Sequence, residues 1–150
     1  MKHIYLFSIL MFSVLSILHA QENKINTDIN KLVEVQLAGS EQLYRQLHTN
    51  PELSLMEKNT SGLMAKELSE LGFKVTTNVG GYGVVGLLRN GNGPTLMLRT
   101  DMDALPVKEA TGLPWASKVV MKDAKGVESP AMHACGHDLH MTVWLGTLKT

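Results

Sequence analysis

Apolar positions along the chain recur first at a helical period, then in short strand-like runs, then at a helical period again. After Asn26-Thr27-Asp28, which offers N-cap residues, Ile29, Leu32, Val33, Leu37, Leu43, Tyr44 and Leu47 predict a first helix. Gly39 weakens its middle without ending it, and Pro51 closes it, because the residue before a proline is pushed out of the helical region. Ser54 followed three residues later by Glu57 is a capping box for a second helix, with Leu63, Met64, Leu68 and Leu71 as its stripe and Gly72 at its stop. From Phe73 the runs Phe73–Val79, Val84–Arg89 and Thr95–Thr100 are short and rich in Val, Leu and Thr, and they predict strands. Asn90-Gly91 favours positive backbone dihedrals, so the second and third strands are expected to form a hairpin. Gly80-Gly81-Tyr82-Gly83 lacks the lysine of a P-loop and reads as a turn. Thr111–Pro130, punctuated by Gly112, Pro114 and Gly126, is expected to be a long surface loop. A helical pattern resumes at Asp138 with Met141, Val143, Trp144, Leu145 and Leu148, and reaches Thr150 with no stop signal. Three strands are few for three helices, so the chain is expected to be truncated.

Composition narrows the class. The 150 residues amount to one domain, and the formal net charge is zero. No basic face is evident and aromatic residues are scarce, which argues against nucleic acid as a partner. Lys2 and His3, the apolar run Ile4–Leu18 and Ala20 before Gln21 have the layout of a secretory signal peptide over residues 1–20. The run is short for a membrane span, so export to the periplasm or medium without a stable membrane anchor is expected. An exported chain with one cysteine can form no internal disulfide, and a lone thiol there needs burial or a metal.

That cysteine sits in the densest chemistry of the chain, Met132-His133-Ala134-Cys135-Gly136-His137-Asp138-Leu139-His140, which holds three of the six histidines. Such a cluster of His, Cys and Asp points to metal. Were the segment extended, Cys135 and His137 would leave one face, and Gly136 would let the backbone bend around an ion. The alternative is a small buried core thiol ahead of an ordinary helix. Asp101 and Asp103, two apart at the end of the third predicted strand, would likewise point to one side, where α/β proteins place their sites. Solvated turn aspartates before Pro106 are the other possibility.

His48-Thr49-Asn50-Pro51-Glu52-Leu53-Ser54 with Glu57 and Thr60, then Gly83-Val84-Val85-Gly86, Arg99-Thr100-Asp101-Met102-Asp103-Ala104-Leu105-Pro106, Thr111-Gly112-Leu113-Pro114 and the Met132–His140 cluster follow one another in a recognisable order. Together they resemble the N-acyl-amino-acid amidohydrolases, including hippurate hydrolases and indole-acetyl-amino-acid hydrolases, within the dinuclear metallo-aminoacylase and carboxypeptidase family. The resemblance implies an α/β fold: residues 21–150 as the N-terminal part of a metallopeptidase-like catalytic domain with a central mixed sheet flanked by helices. A lid and dimerisation domain would come later in the chain, giving a homodimer at full length. It also implies Cys135 and His137 as metal ligands and Asp103 as the carboxylate that orients the site. Asp101 stands where related peptidases carry a metal-binding histidine. His133, Asp138 and His140, with Asp101, are expected behind the ligands or at the helix start. Leu139 departs from the glycine common in this group. The general-base glutamate, its neighbouring ligand glutamate and two ligand histidines are expected downstream of Thr150, so residues 21–150 alone are expected to be inactive.

The implied chemistry is hydrolysis of a small-molecule N-acyl or N-aroyl amino acid by water activated between two divalent ions, about 3.5–4 Å apart in such sites. A thiolate favours zinc, while a carboxylate-rich remainder would also suit manganese, cobalt or nickel. The alternatives are a dipeptidase or carboxypeptidase of the same family, Cys135 acting as a nucleophile with His137 or His140 as base, and an exported metal-binding module without catalysis.

Overall fold

The computed structural model describes residues 2–123 and 125–150, and within the first helix it describes the side chains of Gln21 onward except Asn23. The expected leader over residues 1–20 falls outside the described side chains. The chain divides into two units, residues 1–37 with Thr150 and residues 38–149. In the first, the backbone belongs to helix α1 (Lys2–Thr49), and Ile29, Leu32, Val33 and Leu37 of the predicted stripe are exposed. Among the described residues no helix is long and apolar enough to cross a membrane.

The second unit carries the core. Leu47 from the end of α1, Met64 from α2 (Lys58–Glu70), and Met141 and Leu145 from α3 (His137–Lys149) are buried together, with Leu43, Leu63, Leu71, Met102 and Trp144 packed around them. As the proline requires, α1 stops at Thr49.

The capping box does not form. Glu57 is the N-cap residue without a side-chain cap bond, and its carboxylate instead accepts from the Leu55 amide at 2.9 Å. The helix is capped from further upstream by Glu52, which is buried beside Pro51. One Glu52 oxygen accepts from the Asn59 amide (3.1 Å) and side chain (2.8 Å), the other from the Thr60 amide and hydroxyl (both 2.8 Å). A full carboxylate on the second and third amides of a helix does the work of an N-cap and also meets the positive end of the helix dipole.

Strands β1 (Lys74–Val79) and β2 (Gly83–Leu87) pair antiparallel through the glycine turn. The hairpin is therefore between the first two predicted strands, not through Asn90-Gly91. Two motif glycines are needed there: a Cβ at Gly83 would collide with the Val79 carbonyl oxygen, and one at Gly86 would lie 3.1 Å from Leu68 and 3.2 Å from Phe73. Thr95–Thr100 makes no ladder among the described residues, and Leu96 and Met97 are 82% and 83% exposed. Strand propensity alone does not make a strand when both edges lack a partner. The expected loop Thr111–Pro130 contains a second antiparallel hairpin, β3 (Val120–Lys122) with β4 (Glu128–Pro130). Its turn is held by Asp123, whose side chain accepts from the Lys125 and Val127 amides, and by Gly126 at φ +79°.

Between the hairpins, single bridges bring distant segments together in both senses. Leu53 pairs parallel with Ala104, and Leu105 pairs antiparallel with Met132. The Ala104 amide donates to Glu52 (2.7 Å), and Leu105 and Met132 exchange bonds of 2.9 and 3.0 Å. Asp103 is thereby set beside the Met132–His140 segment.

Candidate metal centre

That segment is a turn, not an extended run. The Ala134 amide donates to Met132 (2.8 Å), the Gly136 amide to His133 (3.0 Å), and Gly136 adopts φ +75° immediately before α3. Cys135 and His137 are therefore not on one face of a strand. A bend at Gly136, in a conformation costly for any residue with a Cβ, separates them instead. The Cys135 thiol is exposed and unbridged, which removes the buried-core alternative.

His137 opens α3 with its ring fixed from behind. Its Nδ1 lies 2.9 Å from the Asp103 carbonyl oxygen and 3.0 Å from Asp103 Oδ1. With the proton on Nδ1 donated to Asp103, the lone pair of Nε2 is the one left for an ion, the arrangement in which a carbonyl or carboxylate sets the tautomer and basicity of a ligand histidine. Cys135 and His137 thus fit as donors to a divalent ion. Among the described residues no three His, Cys, Asp or Glu side chains converge to hold one, so these two can supply only part of a set.

The remaining predicted residues divide. Asp101 forms a surface pair with Arg99, so of the two aspartates only Asp103 reaches His137. His140 is exposed on α3. His133 is 4% exposed, and neither ring nitrogen has a hydrogen-bond partner. Burial pushes its pKa down, against the pull of the Asp138 charge and the Asp103 backbone, so it is held as the neutral ring.

Asp138 turns away from the donors. Its Oδ2 lies 2.7 Å from His48 Nδ1, its Oδ1 accepts from the Leu139 amide, and its own carbonyl accepts from the Thr142 hydroxyl. His48 Nε2 lies 3.1 Å from Glu109 Oε1, and Glu109 also accepts from the Thr111 hydroxyl and the Ser117 amide. Burial works against charge on His48, but the bonds to Glu109 and Asp138 raise its pKa. Burial likewise opposes the Glu109 carboxylate, yet bonds from Thr111, His48 and Ser117 hold its pKa down. Nothing in the local sequence marks Glu109, and His48 is signalled only as the first residue of a motif.

Known proteins are similar to this chain over much of its length. The family model described as peptidase family M20/M25/M40 matches residues 97–150. A hippurate hydrolase of Campylobacter jejuni is 45% identical over 110 residues, 73% of this chain and 26% of that protein. Thermostable carboxypeptidase 1 of Saccharolobus solfataricus is 50% identical over 107 residues, 70% of this chain and 25% of that protein. The crystal structure of the Bacillus subtilis YXEP protein, described as a dinuclear metal-binding peptidase from the M20 family, superposes with a TM-score of 0.65 at 33% identity, over 77% of this chain and 31% of that one. The chain spans about a quarter of the length of these curated relatives. With a family-model match over residues 97–150, relatives 45–50% identical over 70–73% of this chain and a superposition on a family structure at 33% identity, the chain belongs to peptidase family M20/M25/M40.

Proposed function

We propose that the protein is a metal-dependent amidohydrolase that releases an amino acid from an N-acyl or N-aroyl conjugate. The observation that carries this is the His137 ring, fixed at Nδ1 by Asp103 and without a hydrogen bond at Nε2 among the described residues, two residues from an exposed Cys135. Two divalent ions would supply a water acidic enough to ionise near neutral pH and a counter-charge for the carbonyl oxygen. Asp103 holds the His137 ring in one orientation and tautomer, and Gly136 supplies the bend between the two donors. His133, buried and neutral, can give or receive a hydrogen bond without bringing a charge. The similarity to a hippurate hydrolase supports an aroyl or acyl amino acid as substrate, and that to a carboxypeptidase supports including short peptides in the assay. Export with cleavage after Ala20, and pairing of two copies, complete the proposal.

The test is release of free amino acid from hippurate, N-acetyl amino acids and dipeptides by the purified full-length gene product supplied in turn with zinc, manganese, cobalt or nickel, before and after chelation. Release that stops in chelator and returns with metal is expected. Release that persists in chelator, the behaviour of a thiol hydrolase, or no release with any of the four metals, refutes the proposal.

A further inference from the structure

His48 is a buried side chain bonded through both ring nitrogens, and none of the chemistry so far uses it. It closes α1 and spans two carboxylates from distant parts of the chain, Asp138 at 2.7 Å and Glu109 at 3.1 Å. All three side chains are buried, with 6%, 2% and 0% of their surface exposed for His48, Asp138 and Glu109. A carboxylate on each ring nitrogen is satisfied only when both nitrogens donate, so the ring is the cation of a buried anion–cation–anion triad. The upward pKa of His48 and the downward pKa of Glu109 agree with that charge state.

Such a triad is a poor way to gain stability, because desolvating three charges offsets most of their attraction. What it fixes is direction. Glu109 is anchored by Thr111 and Ser117, and Asp138 by the Leu139 amide, so a ring gripping both leaves the first turn of α3 little freedom to rotate. His137 is the residue beside Asp138 in that turn.

We propose that His48 is a positioning residue for the metal centre: through Asp138 it sets the rotation of the first turn of α3 and so aims His137 Nε2, while Asp103 sets the ring itself. The proposal rests on Cys135 and His137 being ligands. Loss of groups that orient a ligand typically weakens metal binding about 10–100-fold.

The experiment measures zinc affinity by competition with a chromophoric chelator, and the rise in thermal midpoint on adding zinc, for the native gene product and for His48→Leu, His48→Gln, Asp138→Asn and the His48→Gln/Asp138→Asn pair. His48→Leu should weaken zinc binding roughly 10–100-fold. His48→Gln, which keeps one donor, should lose less. The losses of His48→Gln and Asp138→Asn should not multiply in the pair, since both act through one contact. The zinc-dependent rise in midpoint should shrink in step with affinity. A merely structural role would lower the metal-free midpoint and leave zinc affinity unchanged, and that result, or losses that multiply in the pair, overturns the proposal alone. A native protein that binds no zinc, manganese, cobalt or nickel overturns the ligand assignment and this inference with it.

Discussion

Replacing Glu52 separates a helix start written next to the helix from one supplied at a distance. Its two oxygens each hold one backbone amide and one side-chain donor of α2, at Asn59 and at Thr60. Glutamine can present only one oxygen. Kept on buried Thr60, that oxygen leaves an amide NH2 facing the Asn59 donors, which are exposed and can turn to water. Glu52→Gln should therefore cost about 1–2 kcal/mol, the usual range for a lost N-cap. Alanine strands the Thr60 amide and hydroxyl as well. At about 1–3 kcal/mol for a buried unsatisfied group, Glu52→Ala should cost about 2–4 kcal/mol. Ser54→Ala, at the exposed position where the sequence alone would put the cap, should change stability by less than about 0.5 kcal/mol. Urea unfolding midpoints give the three values, and hydrogen exchange at the Asn59 and Thr60 amides reports whether the loss lies in the first turn. A Ser54→Ala cost as large as that of Glu52→Gln, or unchanged protection of those amides in Glu52→Ala, would refute the reasoning.

Because Cys135 is exposed, Cys135→Ser should leave metal-free stability within about 0.5 kcal/mol of wild type while metal content and activity fall together; full metal content in the variant would show the ligand assignment to be wrong. Gly86→Ala drives a methyl against buried Leu68 and should cost about 1–3 kcal/mol, measured by thermal melting, and a neutral result would mean that β2 can move off α2. The metal-free protein should be most stable near pH 6.5, the usual histidine value. His133, with its folded pKa lowered, lets the unfolded chain take up a proton first as pH falls below that point; His48, with its folded pKa raised, loses its contribution as pH rises from that point through the folded value. Glu109, lowered in the fold, adds a further loss in acid. Urea midpoints from pH 5 to 9 check this, and stability that climbs steadily across the range would contradict the His48 assignment.

What could be read from the sequence was what the chain does within a few residues of itself. The helix over Lys58–Glu70 follows from its stripe and its stop at Gly72, that over His137–Lys149 from its stripe, and the β1–β2 turn from its glycines. The errors arise where a segment's partner, or its lack of one, is not written in the segment itself. The cap of α2 comes from beyond the expected box because Glu52 is already held in place by Pro51 and by the Ala104 amide. Thr95–Thr100 has the composition of a strand, but neighbouring Leu96 and Met97, which would point to opposite faces of one, are both bare. The two three-residue strands within Thr111–Pro130 are too short for a period of two to show, although Asp123 and Gly126 carry the turn.

The same limit separates the two halves of the candidate site. Cys135, Gly136 and His137 are contiguous, so their chemistry is visible as a motif even though the extended geometry first suggested by their spacing is replaced by a turn. The groups proposed to give this turn its direction are not contiguous: Asp103 lies 34 residues from His137, His48 lies 90 from Asp138, and Glu109 lies 61 from His48. A ligand pair needs only a bend, and a bend can be encoded locally by a glycine. Aiming the pair needs rigid elements meeting from different directions, here the end of α1, the bridges of Ala104 to Leu53 and of Leu105 to Met132, and the first turn of α3. Donor identity is thus a property of one short segment, whereas donor orientation is a property of the fold, and substitutions at His48 or Asp103 should disturb the metal centre without changing any atom that binds the ion.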